Sequence, residues 1–263
     1  MVEPAPTTPD DATRIAEAMR WIEDVTSTRA VASRFGTALY HDGFRVRYDS
    51  NFLRVEGSDG TIDGAEVAAE CDRLFDGFTH REVIVEDPRR GAAMAPWFAE
   101  HGWRVDRLVT LARRAPSDGR GDPGLAEELA LDDAIGFAAV VHRESFPRTD
   151  PPVIDTLAAF RRVLRDRAGA RFFGARVDGV LAASCELYLH DGTAQIEDVN
   201  TLERFRGRGL ARAVVLRAAA EAGASGADLI WLIADDGDWP KDLYAKLGFV
   251  RVGTFWQYTL ADD

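Results

Sequence analysis

Between Glu127 and Leu260 the period of the apolar positions changes several times. The stretches "DDAIGFAAVVHRESF" (132–146) and "PPVIDTLAAFRRVLRDRAG" (151–169) space apolar side chains at three and four residues, which predicts helices. "ARFFGARVDG" and "GVLAASCELYLHDG" read as strands joined at Asp178-Gly179, a dipeptide suited to a tight hairpin turn. "TAQIEDVNT" follows as a third strand. Beyond the glycines of "RFRGRGLAR", small and apolar residues fall at Ala211, Val214, Val215, Ala218, Ala219 and Ala222, predicting a helix over Gly209–Gly223. "ADLIWLIA" reads as a buried strand, "DWPKDLYAKLG" as a short helix and "FVRVGTFWQYTL" as a last strand. The fold class is therefore α/β (α+β), with an antiparallel hairpin feeding a mixed sheet flanked by helices.

The periodicity stops at "RRAPSDGRGDPGLAEE" (113–128), whose prolines and glycines give it linker composition. The first half carries an echo of the second at a constant shift. Met94–Arg114 aligns with "DLYAKLGFVRVGTFWQYTL" so that His101-Gly102-Trp103 falls under Leu247-Gly248-Phe249 and Phe98 under Tyr244. The apolar "REVIVED" before it matches the strand "LIWLIAD". The expected organisation is a first domain over 1–115 that is a degenerate copy, a linker over 116–124 and a second domain over 125–263.

Composition narrows the class. The 263 residues suffice for two ordinary domains, and 46% hydrophobic content with mixed charge is that of a globular protein. No apolar run approaches the roughly 18 residues of a membrane span, and "MVEPAPTTPDDATR" lacks the features of a signal peptide. Two distant cysteines, Cys71 and Cys185, read as buried free thiols in a reducing, cytoplasmic setting. His41, His80, His101, His142 and His190 show no ligand spacing, so no metal is expected. A formal net charge of −12 argues against nucleic acid as a partner.

Against that charge, four arginines (Arg204, Arg206, Arg208, Arg212) surround Gly207 and Gly209 at one turn between a strand and a helix. A helix N-terminus offers unpaired N–H groups and partial positive charge. Glycines let an anion approach the backbone, and arginines add forked donors. The pattern points to a phosphate-bearing ligand. Arg212 occupies the third small position of a dinucleotide-type loop, and the G-K-S/T of a nucleotide P-loop is missing.

What remains, Arg206-x-x-Gly209-x-Ala211 after a strand, resembles the pyrophosphate-binding motif R/Q-x-x-G-x-G/A of the GNAT (Gcn5-related N-acetyltransferase) superfamily. "DDGDWPKDLYAKLGF" (235–249) resembles that superfamily's second signature, a short helix ending in L-Y-x-K-L-G-F, in the same order and spacing. "IEDV" before the loop is similar to the strand of its polyamine-type members. The resemblance covers Glu127–Leu260 and, with the internal echo, implies two GNAT-like domains, each a mixed, mostly antiparallel sheet flanked by helices.

It implies acetyl-CoA as co-substrate and transfer of its acyl group, through a ternary complex, to a primary amine of a small molecule or peptide. The strand ending at Thr201 would splay from Ala227–Ala234, and main-chain groups of Val199, Asn200 and Thr201 would pair with the pantetheine arm. Amides of Arg206, Gly207, Arg208, Gly209, Leu210, Ala211 and Arg212 would hold the pyrophosphate. Glu197 stands where polyamine-type members carry a strand glutamate, so it is either the base for the amine or a solvated strand carboxylate. Asp198, on the opposite face by strand alternation, is the weaker candidate. Tyr244 would protonate the departing thiolate. Asn200-Thr201 and "LERF", which lacks the usual proline, depart from the family pattern on the acceptor side. A non-catalytic CoA-binding or regulatory module is the alternative, and monomer and homodimer are both open.

Overall fold

The computed structural model describes residues 9–57, 61–114 and 123–261. Residues 116–122 of the expected linker lie outside them. Helices and strands follow in the order α1 (Pro9–Thr26), β1 (Arg29–Ser33), β2 (Gly36–Tyr40), β3 (Phe52–Val55), α2 (Gly64–Leu74), β4 (His80–Val85), α3 (Pro88–Glu100) and β5 (Arg104–Arg114). The second half adds β6 (Ala126–Glu128), α4 (Leu131–Ser145), α5 (Pro151–Ala159), α6 (Arg161–Ala168), β7 (Arg171–Val177), β8 (Val180–His190) and β9 (Thr193–Thr201). It closes with α7 (Leu210–Ala224), β10 (Leu229–Asp235), α8 (Pro240–Lys246) and β11 (Val250–Ala261).

The chain packs as two compact units that no single cut separates. Among the described residues, the N-terminal unit falls within 21–109, 234–238 and 253–263, and the C-terminal unit within 1–20, 110–233 and 239–252. Each thus holds a strand segment from the other half of the sequence.

In the N-terminal unit the strand order is β1-β2-β3-β4-β11. β3 and β4 run parallel, and β11 pairs antiparallel with β4 from Trp256↔Val85 to Ala261↔His80. α2 and α3 start at aspartate caps: Asp63 accepts from the Ala65 N–H, and Asp87 from those of Arg89 and Arg90. One core gathers Leu53, Val55, Val83, Val85, Met94, Phe98 and Tyr258, all nearly or fully buried. Phe98 stacks on Tyr258 with ring centroids 4.1 Å apart. The position aligned with Tyr244 is therefore filled by core packing.

In the C-terminal unit the order is β5-β10-β9-β8-β7-β6, antiparallel from β6 through β9 and parallel between β9 and β10. Both hairpins turn on Asp-Gly. Asp178 and Gly179 have φ 51 and 79, and Asp191 and Gly192 have φ 43 and 74, the positive values a two-residue hairpin needs. The single helix expected over 151–169 is two, because the chain tightens at Phe160, whose N–H bonds Leu157 O at 3.4 Å before α6 begins. α6 ends at Gly169 in the left-handed region, φ 65. Cys71 and Cys185 are buried free thiols, as expected from the sequence.

α7 buries Leu210, Ala213, Val214, Val215, Leu216, Ala218, Ala219 and Ala222. Its valines and leucines each contribute roughly 1.5–3 kcal/mol of burial, which fixes the helix and hence the loop before it. Ile15 and Ala18 of α1 and Ala112 of β5 pack with Leu229 and Trp231 in a second cluster of the same unit.

Candidate functional site

β9 and β10 pair over three residues only, Leu229↔Thr193, Ile230↔Ala194 and Trp231↔Gln195. Beyond Gln195, β9 stays on β8 as far as Ala183↔Thr201, while β10 departs. The sheet therefore splits, and the β9 edge over 196–201 faces a gap. The family resemblance implied such a splay, and it brings Val199, Asn200 and Thr201 to the edge of the gap.

A β-bulge sharpens the split. The β8–β9 register passes from Glu186↔Glu197 to Ser184↔Asn200, so Asp198 and Val199 together oppose Cys185. Asp198 has φ 50, in the left-handed region. The expectation for Asp198 rested on strict alternation, which a bulge interrupts. One buried guanidinium, Arg161, reaches both Asp198 Oδ2 and Glu186 Oε1, the latter at 3.2 Å. Asn200 Nδ2 also donates to Asp198 Oδ1 at 2.6 Å.

The arginine-glycine loop follows. Gly207 and Gly209 have φ 77 and 76, and a Cβ at either would meet nothing within 4 Å. Both conformations favour glycine, and the space before them is open. α7 starts at Gly209 with no side-chain cap, so its first amides lack the acceptor that usually satisfies them. The Arg206 N–H is taken up by Glu203 O at 3.1 Å. The amides of Gly207, Arg208 and Gly209 have no such bond among the described residues. Arg212 Nε, on the first turn of α7, is buried without a hydrogen-bond partner. Arg204 and Arg208 lie over the Phe205 ring at 4.9 and 5.6 Å. An anion would satisfy these donors together.

Glu197 is half-buried and accepts from Gln195 Nε2 at 2.7 Å. Burial first, then the charges of Asp198 and Glu186, push its carboxyl up to about 8. Tyr244 on α8 is 6% exposed, and its hydroxyl has no hydrogen bond to a described residue. Burial, then the nearby Glu197 and Cys185, raise its pKa well above the usual phenol value, so it keeps its proton. The two side chains predicted to work together therefore lie within electrostatic reach of each other, one able to accept a proton and the other to donate one.

Sequence reading passed over Arg161, Glu186, Tyr188 and Gln195. A signal existed in "LAASCELYLH", where a lone glutamate in an apolar strand announces a buried, partnered charge. A cavity of about 470 Å³ at the β6–β7 side takes in Glu128, Arg165, Arg171 and Phe172 and none of the residues at the splay. Among the described residues no group of three or more His, Cys, Asp or Glu could hold a metal, and no helix is long and apolar enough to cross a membrane.

A family model described as acetyltransferase (GNAT) family matches residues 130–249. Among solved structures, the chain is similar to a conserved protein from Staphylococcus epidermidis: 13% identity, 91% of this chain and 96% of that one, TM-score 0.66. It is also similar to a GCN5-related N-acetyltransferase from Kribbella flavida: 22% identity, 96% of each chain, TM-score 0.58. A tandem GNAT protein from the clavulanic acid biosynthesis pathway shares 15% identity over 95% of this chain and 96% of that one, TM-score 0.52. Identities this low speak for the fold. Among curated proteins none matches.

Proposed function

Since residues 130–249 make this chain a member of the GNAT acetyltransferase family, we propose that its C-terminal unit transfers the acyl group of acetyl-CoA directly to a primary amine. The observation that carries the reading is the split between β9 and β10, with an open, anion-ready glycine loop at its end and Glu197 and Tyr244 beside it.

Amides from Gly207 to Arg212, with the Arg212 side chain, hold the pyrophosphate, and the β9 edge at Val199–Thr201 pairs with the pantetheine arm. A main-chain N–H of that edge faces the thioester carbonyl and stabilises the oxyanion. Glu197 takes a proton from the amine as nitrogen bonds to the carbonyl carbon. The C–S bond breaks, Tyr244 gives its proton to the thiolate, and an amide and free CoA leave. The acceptor is a small molecule or peptide that brings its amine to the carboxylate face of β9. The first half of the chain, with Phe98 packed in a core and no arginine-glycine loop, is a degenerate copy that takes no part in the chemistry.

The test is thiol release from acetyl-CoA over a panel of amines, compared with binding by titration calorimetry. Turnover on any amine supports the reading, and saturable binding without turnover supports a cofactor-binding module instead. Tyr244→Phe is expected to lower kcat by about 100-fold while acetyl-CoA affinity stays the same, because the hydroxyl acts only as the thiolate leaves. Steady-state kinetics beside calorimetry check it. Wild-type kcat in Tyr244→Phe would reduce that side chain to packing.

A further inference from the structure

Glu186 stands directly across from Glu197 in the β8–β9 register, and Tyr188 across from Gln195. Residues opposed in this way share one face, with Cβ atoms about 5 Å apart. Two carboxylates so placed, away from bulk water, resist ionising together. Their partners differ. Glu186, 4% exposed, accepts from the Tyr188 hydroxyl and pairs with Arg161 Nε at 3.2 Å. Glu197 accepts from neutral donors, the Gln195 side-chain amide and the Asp198 backbone N–H.

Arg161 is itself 6% exposed. Burial works against its charge, and the Glu186 and Asp198 carboxylates outweigh that and hold the guanidinium protonated. The groups around Glu197 are Glu186 and Tyr188 on β8, Gln195 and Asp198 on its own strand, Arg161 on α6 and Tyr244 on α8.

We propose that Arg161 is a positioning residue of the acyl-transfer site: by pairing with Glu186 and with Asp198 in the bulge, it holds negative charge on both and leaves the exchangeable proton on Glu197. The same pairing ties down the bulge that sets the β9 edge. The inference rests on the reading of Glu197 as the base. It gives β8, which does not border the gap, a role in setting when that base is free.

The test follows the Glu197 side chain itself. Full-length protein carrying glutamate labelled with 13C at the side-chain carboxyl is titrated by NMR, and Glu197→Gln identifies the resonance. The wild-type midpoint is expected near pH 8. Glu186→Gln keeps the shape and removes one charge, and should move the midpoint down by about one pH unit. Arg161→Gln lets Glu186 compete for the exchangeable proton, so Glu197 should titrate in two partial steps in place of one midpoint, and Arg161→Lys should restore the single midpoint. The acid limb of acetyl transfer should move with each midpoint. A role in folding alone would lower activity at every pH and leave the midpoint in place. An unmoved midpoint in Glu186→Gln overturns the proposal even if the Arg161 variants fail to fold. A midpoint that moves while the acid limb stays, or a limb that survives in Glu197→Gln, overturns instead the assignment of Glu197 as base.

Discussion

Gly209→Asp is expected to weaken acetyl-CoA binding by about 100-fold or more, about 2.7 kcal/mol, in calorimetric titration. Three effects act in one direction. The substitution puts a side chain into space that is open before α7 and needed by the anion. It adds negative charge at a helix N-terminus where phosphate oxygens would sit. It also forces a Cβ onto a residue with φ 76, which costs roughly 1–2 kcal/mol of backbone strain. Gly209→Ala isolates the last effect, and its affinity should fall only a few-fold. Circular dichroism should report a folded chain for both, because nothing lies within 4 Å of the new Cβ. Equal affinity in Gly209→Asp and wild type would remove the loop from the cofactor site.

Glu197→Gln is expected to lower kcat/KM by about 100- to 1,000-fold at alkaline pH, with unchanged acetyl-CoA affinity. The wild-type enzyme should lose activity about tenfold per pH unit below pH 8, since its carboxyl is pushed up to about 8 and only the ionised form accepts the amine proton. The stability effect runs the other way. A carboxyl whose folded value is raised favours folding below its ordinary range, and that contribution is lost as pH rises through about 8. Between pH 6 and 9 the Tm of wild type should therefore drop more than that of Glu197→Gln. An acid limb that persists in the variant would assign the base elsewhere.

Most of the C-terminal unit was legible because its signals are local. Asp178-Gly179 announces a hairpin, and the alanines after Gly209 announce a helix that packs on a sheet. Arginines and glycines between a strand and a helix announce the loop whose Gly207 and Gly209 take positive φ before α7. The bulge at Asp198 was not legible, because an extra residue in one strand depends on the register of its partner. Arg161 was hidden in "AFRRVLRDR", where one arginine of several is buried by a helix break that the period of the stretch conceals. The grouping of 253–263 with 21–109 was equally hidden. Strand pairing across more than 150 residues leaves no mark on a local pattern, although β11 meets β4 with an ordinary antiparallel register.

The structure of the chain with CoA bound tests the central claim most directly. The account predicts the pyrophosphate against the amides of 207–212 with Arg212 turned to it, the pantetheine arm along Val199–Thr201 in the gap left by β10, and the thiol near Tyr244. A pyrophosphate held away from Gly207 and Gly209, or a pantetheine arm that does not enter the gap between β9 and β10, would contradict it.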